Sequence, residues 1–231
     1  MAERPAFIPW ATGLELVREL HFDFIWNPGF ASVQKKKNIA ALHRAAAAQG
    51  YSPLLEVSTK SDVELGQRLS AFSLKVSSRE LGEIPLECAF QGSKVFEHGG
   101  PFTDLYSVDA RTAKKDPRIR TSGCLVEFRF GDLAFPTEPK TAFYDWLYIS
   151  AIFPHREFLQ RLEKYAGFTD IEFNPGKSIN CQARSCAIFV AMRRKGILES
   201  AIQSPADFLS AVSPGPSVQP HSGRDEQGNL F

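Results

Sequence analysis

Cysteine is scarce in this 231-residue chain, and what there is does not group: Cys88, Cys124, Cys181 and Cys186 form no CxxC pair. Cys181 and Cys186 have no histidine cluster nearby, so a zinc site and a disulfide scaffold are both disfavoured and buried thiols are expected. No apolar run approaches the ~18 residues that a membrane span requires. An excess of one charge is missing too. The 27 basic and 26 acidic residues leave a net charge of +1, so no broad electrostatic footprint for nucleic acid exists and any such contact must be local. The chain opens without a basic-then-apolar signal segment, which with the unpaired cysteines leads us to expect a reducing cytoplasm. No internal repeat is evident.

What is present is apolar and aromatic. Hydrophobic residues make up 43% and aromatics 12%, enough for a globular domain with a sizeable core. HFDFIW (21–26) alternates as a half-buried strand does, and Asn27-Pro28-Gly29 turns the chain. Gln34 to Gln49 carries Ile39, Leu42 and Ala46 at helical spacing, with Lys35, Lys36 and Lys37 in its first turn. Leu54 to Val57 reads as a strand leading into Ser58, Thr59, Lys60 and Ser61, which can cap a following helix or hold a phosphate. LSAFSLKV (69–76) alternates as a strand. Ala110 to Ser122 reads as a charged loop, and CLVEFRF (124–130) with LAF (133–135) as a hairpin.

Helices are expected over 141–152, 157–166 and 178–195. FTDIEF (168–173) is expected to be a strand that projects Asp170 and Glu172 from one face. In the last of these helices, Asn180 and Arg184 share a face near the N-terminus, where Arg184 can pair with Glu172 or point to solvent. The sum is an α+β architecture: a helix-rich single domain over 1–205 with a small sheet of short strands. Residues 206–231, rich in Pro, Gly and Ser towards the end, are expected to be a flexible tail.

One stretch stands apart. PLECAFQGSKVFEHGG (85–100) has Pro85 at a helix start and Gly99, Gly100 and Pro101 as a stop, so one helix is predicted. At ~100° per residue its polar groups, Glu87, Gln91, Lys94 and His98, fall on a narrow stripe, and nearly all the rest is apolar or small. A surface helix shows the reverse pattern. The stripe is either a line of ions reaching solvent or the wall of a cleft.

Glu87, Phe90, Gln91, Lys94 and Phe96 reproduce the E-x-x-F-Q-x-x-K-x-F pattern of the NADAR (NAD- and ADP-ribose-associated) family. Together with LEVSTKS (55–61), LSAF (69–72), KTAFYDWLY (140–148) and FTDIEFNPGKSINCQARS (168–185), the chain up to about Leu198 resembles NADAR antitoxins paired with DarT-type DNA ADP-ribosyltransferase toxins. It departs from the family in Ala71, where members usually carry Asn, and in lacking an upstream Trp-Gly before Asn180.

The resemblance implies a NADAR fold and cleavage of the N-glycosidic bond that joins ADP-ribose to guanine in DNA, reversing the toxin without a cofactor. Glu87 is then the acid/base or cation stabiliser and Lys94 the amine nucleophile at the anomeric carbon. Gln91, Lys60, Ser58, Ser70, Phe72, Trp146, Asp145, Asp170, Glu172 and Asn180 are the candidate substrate-binding residues. Two other readings stay open at this point: a non-catalytic antitoxin that binds ADP-ribose or the toxin, and an N-glycosidase of a small metabolite. Neither a metal nor a membrane is expected to take part.

Overall fold

The computed structural model describes residues 1–78 and 81–213. Its strands are β1 (Ala2–Pro9), β2 (Val17–Phe24), β3 (Leu54–Glu56), β4 (Lys75–Ser78), β5 (Gly82–Pro85), β6 (Lys94–Phe96), β7 (Leu125–Phe130), β8 (Leu133–Pro136) and β9 (Gly167–Thr169). The α-helices are α1 (Ser32–Ala47), α2 (Glu64–Arg68), α3 (Leu86–Gly92), α4 (Ala110–Lys115), α5 (Arg118–Thr121), α6 (Ala142–Ile152), α7 (Gln182–Arg194), α8 (Leu198–Ala201) and α9 (Pro205–Val212). This is an α+β fold whose strands divide among three small sheets, in the orders β2-β1-β9-β3, β4-β5 and β6-β7-β8.

The strand β9 organises the largest sheet. It runs antiparallel to β1, with Phe7 opposite Phe168, and parallel to β3, with Glu56 opposite Thr169. Gly167 suits this place because a Cβ there would meet Ile8 Cδ1 at 2.4 Å and Phe7 O at 3.0 Å, so only a bare α-carbon lets the backbones approach this closely. One face of the sheet packs on α1 through Phe22, Phe24, Ile39 and Leu42. The main core gathers around α6 and α7, and both are buried on most sides.

Several local expectations are corrected by this packing. The helix predicted from Pro85 onward ends at Gly92. Ser93 Oγ donates to Ala89 O at 2.7 Å, Ser93 O accepts from Arg129 N at 2.7 Å, and Lys94 pairs with Phe128 in β7. A cross-strand ladder thus takes over where the third turn would begin. LSAF is a turn after α2, because Ser73 N bonds Ser70 O at 2.8 Å. The strand at 168 stops at Thr169, and Phe173 N closes a turn on Asp170 O at 3.1 Å. Residues 110–122 hold α4 and α5 instead of a loop. The expected helix at 157–166 is 3-10 over Phe158–Lys164. The last long helix starts at Gln182, since Lys177 N and Ser178 N both bond back to Asn174 O.

The expected tail also begins too early. Pro205–Val212 is helical, capped by Ser204 Oγ accepting from Asp207 N, and anchored by fully buried Phe208. The remainder of that tail, from 214, lies outside the described residues.

Candidate active site

A cavity of about 1020 Å³ opens between α3, the β6-β7 edge and the segment from Asp170 to Gln182. Three side chains on its wall form one hydrogen-bonded line. Gln91 Nε2 donates to Glu87 Oε1 at 2.8 Å, and Lys94 Nζ donates to Gln91 Oε1 at 2.7 Å. Glu87 and Gln91 share a face of α3, four residues apart. Lys94 reaches the same line from the first residue of β6. The helix is shorter than expected, yet the polar groups still converge.

The Lys94 amine also lies 4.7 Å from the centre of the Phe90 ring. Phe90 is itself packed against Phe128, Phe143 and Tyr144. Burial against these rings lowers the Lys94 pKa to about 8. The charge on nearby Lys114 lowers it as well, while Glu87 opposes both. An amine so depressed is about a quarter neutral at pH 7.5, against well under 1% for an ordinary lysine.

The opposite wall is carboxylate. Asp170 accepts from Gln182 Nε2 at 2.9 Å and, through its other oxygen, from Glu172 N at 3.0 Å. Burial pushes its pKa above the usual carboxylate range. Glu56, 2% exposed, holds the residues on either side of Asp170: it accepts from Thr169 Oγ1 and Ile171 N at 2.7 and 2.9 Å, and from Ser58 Oγ at 2.7 Å. Burial raises its pKa strongly, and the charge of Asp170 adds to the effect.

Of the residues singled out from sequence, Glu87, Gln91, Lys94, Phe72, Asp170, Glu172 and Asn180 all line this cavity. Asn180 brings an enclosed Oδ1 that has no hydrogen-bond partner among the described residues. Ser58, Lys60, Ser70, Asp145 and Trp146 are not part of the lining. Ser58 serves Glu56, and its Oγ also accepts from Lys60 N at 3.2 Å. Ser70 is fully buried under the turn it begins.

Trp146 packs among Phe130, Phe135 and Phe143 in the core. Asp145, 2% exposed, is bonded to Arg184 and to Ser185 Oγ, so Arg184 pairs there and not with Glu172. Lys35 is the partner of Glu172, at 3.8 Å.

Sequence reasoning missed Glu56 and Gln182, while Lys114, from the stretch read as a charged loop, reaches the cavity from α4. Glu56 carried a legible signal, a lone carboxylate in the otherwise apolar strand LLEV. Gln182 carried none, because its worth lies in joining two segments that are distant in sequence: its Oε1 accepts from Ala71 N at 2.6 Å while its Nε2 holds Asp170. Among the described residues no three or more His, Cys, Asp or Glu side chains gather as metal ligands, and no helix is long and apolar enough to cross a membrane.

The family model described as DarT1-associated NADAR antitoxin matches residues 2–222. No curated protein matches the chain. The chain belongs to the DarT1-associated NADAR antitoxin family.

Proposed function

We propose that this NADAR antitoxin hydrolyses the N-glycosidic bond between ADP-ribose and guanine in DNA, undoing the modification made by its paired toxin. The observation that carries the reading is the Glu87–Gln91–Lys94 line on a cavity wall, ending in an amine held partly neutral. Breaking this bond develops positive charge at the ribose anomeric carbon and negative charge on the base.

In this reading the neutral Lys94 amine attacks the anomeric carbon as the bond to the base nitrogen breaks. The departing guanine nitrogen takes a proton from water. Loss of a proton from the lysine nitrogen and opening of the ribose ring give an imine on Lys94, with the former ring oxygen as a hydroxyl. Glu87 then takes a proton from water as it adds to the imine carbon, and collapse of the adduct frees ADP-ribose and restores the amine.

Gln91 holds acid and amine in register. The unpartnered Asn180 Oδ1 suits a ribose hydroxyl, which would satisfy an acceptor that is costly to leave bare.

The test is an oligonucleotide carrying ADP-ribosylated guanine. The wild-type protein is expected to return unmodified oligonucleotide and free ADP-ribose, and Glu87→Gln and Lys94→Ala should each lose most turnover while folding normally. Label left intact by wild type, where a proven glycohydrolase clears it, overturns the reaction. Wild-type rates in both variants overturn the roles. Full rescue of cells from the toxin by Glu87→Gln would favour an antitoxin that acts by binding alone.

A further inference from the structure

The turn after α2 presents a bare aromatic ring at the mouth of the cavity. Phe72 lines that cavity and is 70% exposed. Its backbone is nonetheless pinned. Ser73 Oγ donates to Gln67 O at 3.1 Å, and Ala71 N donates to Gln182 Oε1 at 2.6 Å, on the same amide that holds Asp170 inside. A ring of this size normally goes to the core, and one fixed in the open on a rigid turn offers a flat apolar face to something flat.

Around the same opening stand Lys114, Lys140 and Lys177, all exposed and all without an ion-pair partner among the described residues. Of the four carboxylates that line the cavity, Glu87 accepts from Gln91, Glu172 faces Lys35 and Asp170 accepts from Gln182, which leaves Glu138 as the one with no ion-pair partner or side-chain hydrogen bond among the described residues. An aromatic face set among unpaired cations is the chemistry by which unpaired nucleic-acid strands are held. Bases stack on the ring, phosphates meet the ammonium groups, and a paired base has no free face to offer.

We propose that Phe72 stacks the base next to the modified guanine and that Lys114, Lys140 and Lys177 take the flanking phosphates, so that the mouth of the cavity grips an unpaired strand. This rests on reading the cavity as an ADP-ribosyl-guanine site. It concerns parts of the strand that the reaction itself leaves unchanged.

The experiment is fluorescence anisotropy with a labelled, unmodified single-stranded oligonucleotide, and with the same sequence as a duplex, over a range of salt. Wild type should prefer the single strand. Phe72→Ala should weaken it about tenfold, with Phe72→Trp restoring it. The combined Lys114→Gln, Lys140→Gln, Lys177→Gln variant should flatten the log–log salt slope by about 2. Circular dichroism would confirm that each variant is folded. Equal affinity for Phe72→Ala and wild type, an unchanged slope in the lysine variant, a preference for duplex, or no binding by wild type would each overturn the proposal. Because the oligonucleotide carries no ADP-ribose, binding can persist if the glycohydrolase reading fails. Hydrolysis of an ADP-ribosylated mononucleoside can equally persist if the strand seat fails.

Discussion

Lys94 Nζ lies 2.7 Å from Gln91 Oε1 across the end of a helix that has already stopped. The amide of Gln91 can point its oxygen at Lys94 only by turning its nitrogen to Glu87, as it does at 2.8 Å. One planar group therefore sets the placement of both the acid and the amine.

The rate of ADP-ribose release should follow the neutral fraction of Lys94. Its pKa is lowered to about 8, so activity is expected to rise about tenfold per pH unit between 6 and 7 and to level off above about 9. The sign for Lys114 follows from its charge. A like charge disfavours the ammonium, so Lys114→Gln should move the midpoint upward, and a pH–rate profile of the two proteins reads the shift.

Reduction with cyanoborohydride during turnover should trap the imine on the chain. The expected product is wild-type protein heavier by one reduced ADP-ribosyl group, mapped to Lys94 by peptide mass spectrometry. Lys94→Arg keeps the charge but has no nucleophilic amine, and it should show neither adduct nor turnover.

Asp145 is a structural anchor for Arg184. Asp145→Ala removes the carboxylate that joins α6 to α7 and strands a half-buried guanidinium, so unfolding free energy should fall by about 2–3 kcal/mol. Urea denaturation measures this. A midpoint equal to that of wild type would contradict it.

Stability should also report on Glu56. Its pKa is raised in the fold, so the native state keeps a proton that the unfolded chain has released, and stability declines as pH rises through that interval. Burial lowers the pKa of His43 to about 4, which makes stability fall as pH drops below about 6.5. The two effects are separable above that point. Between pH 6.5 and 8 the wild type should lose stability steadily, and Glu56→Gln should flatten that loss.

The sequence disclosed the residues of the wall better than the elements that carry them. Spacing in LECAFQGSK predicted that Glu87, Gln91 and Lys94 would come together, and they do. The helical geometry offered as the reason held only as far as Gly92, because pairing of Lys94 with Phe128 is a long-range choice that no local period displays. Asp170 and Glu172 reach the cavity from a turn and not from a strand. Trp146 and Asp145 were misplaced for a related reason. A helix buried on every side has no periodicity to say which of its polar or aromatic groups faces a ligand and which faces a neighbouring helix. For Phe72 the element alone was misread, since an alternating pattern suggested a strand where a turn holds the ring outside, yet the residue lines the cavity.

The three residues of β9 sit between β1 and β3, so a strand made late in synthesis must slot between two made early. Asp170 follows directly from β9, and Gln182 opens the helix after it. A nascent chain halted before residue 170 would therefore display Glu87 and Lys94 on an unfinished half-cleft with no facing wall. For an antitoxin, the cleft is whole only once residues beyond 182 have been made, and any pause in translation before that point lengthens the interval without it.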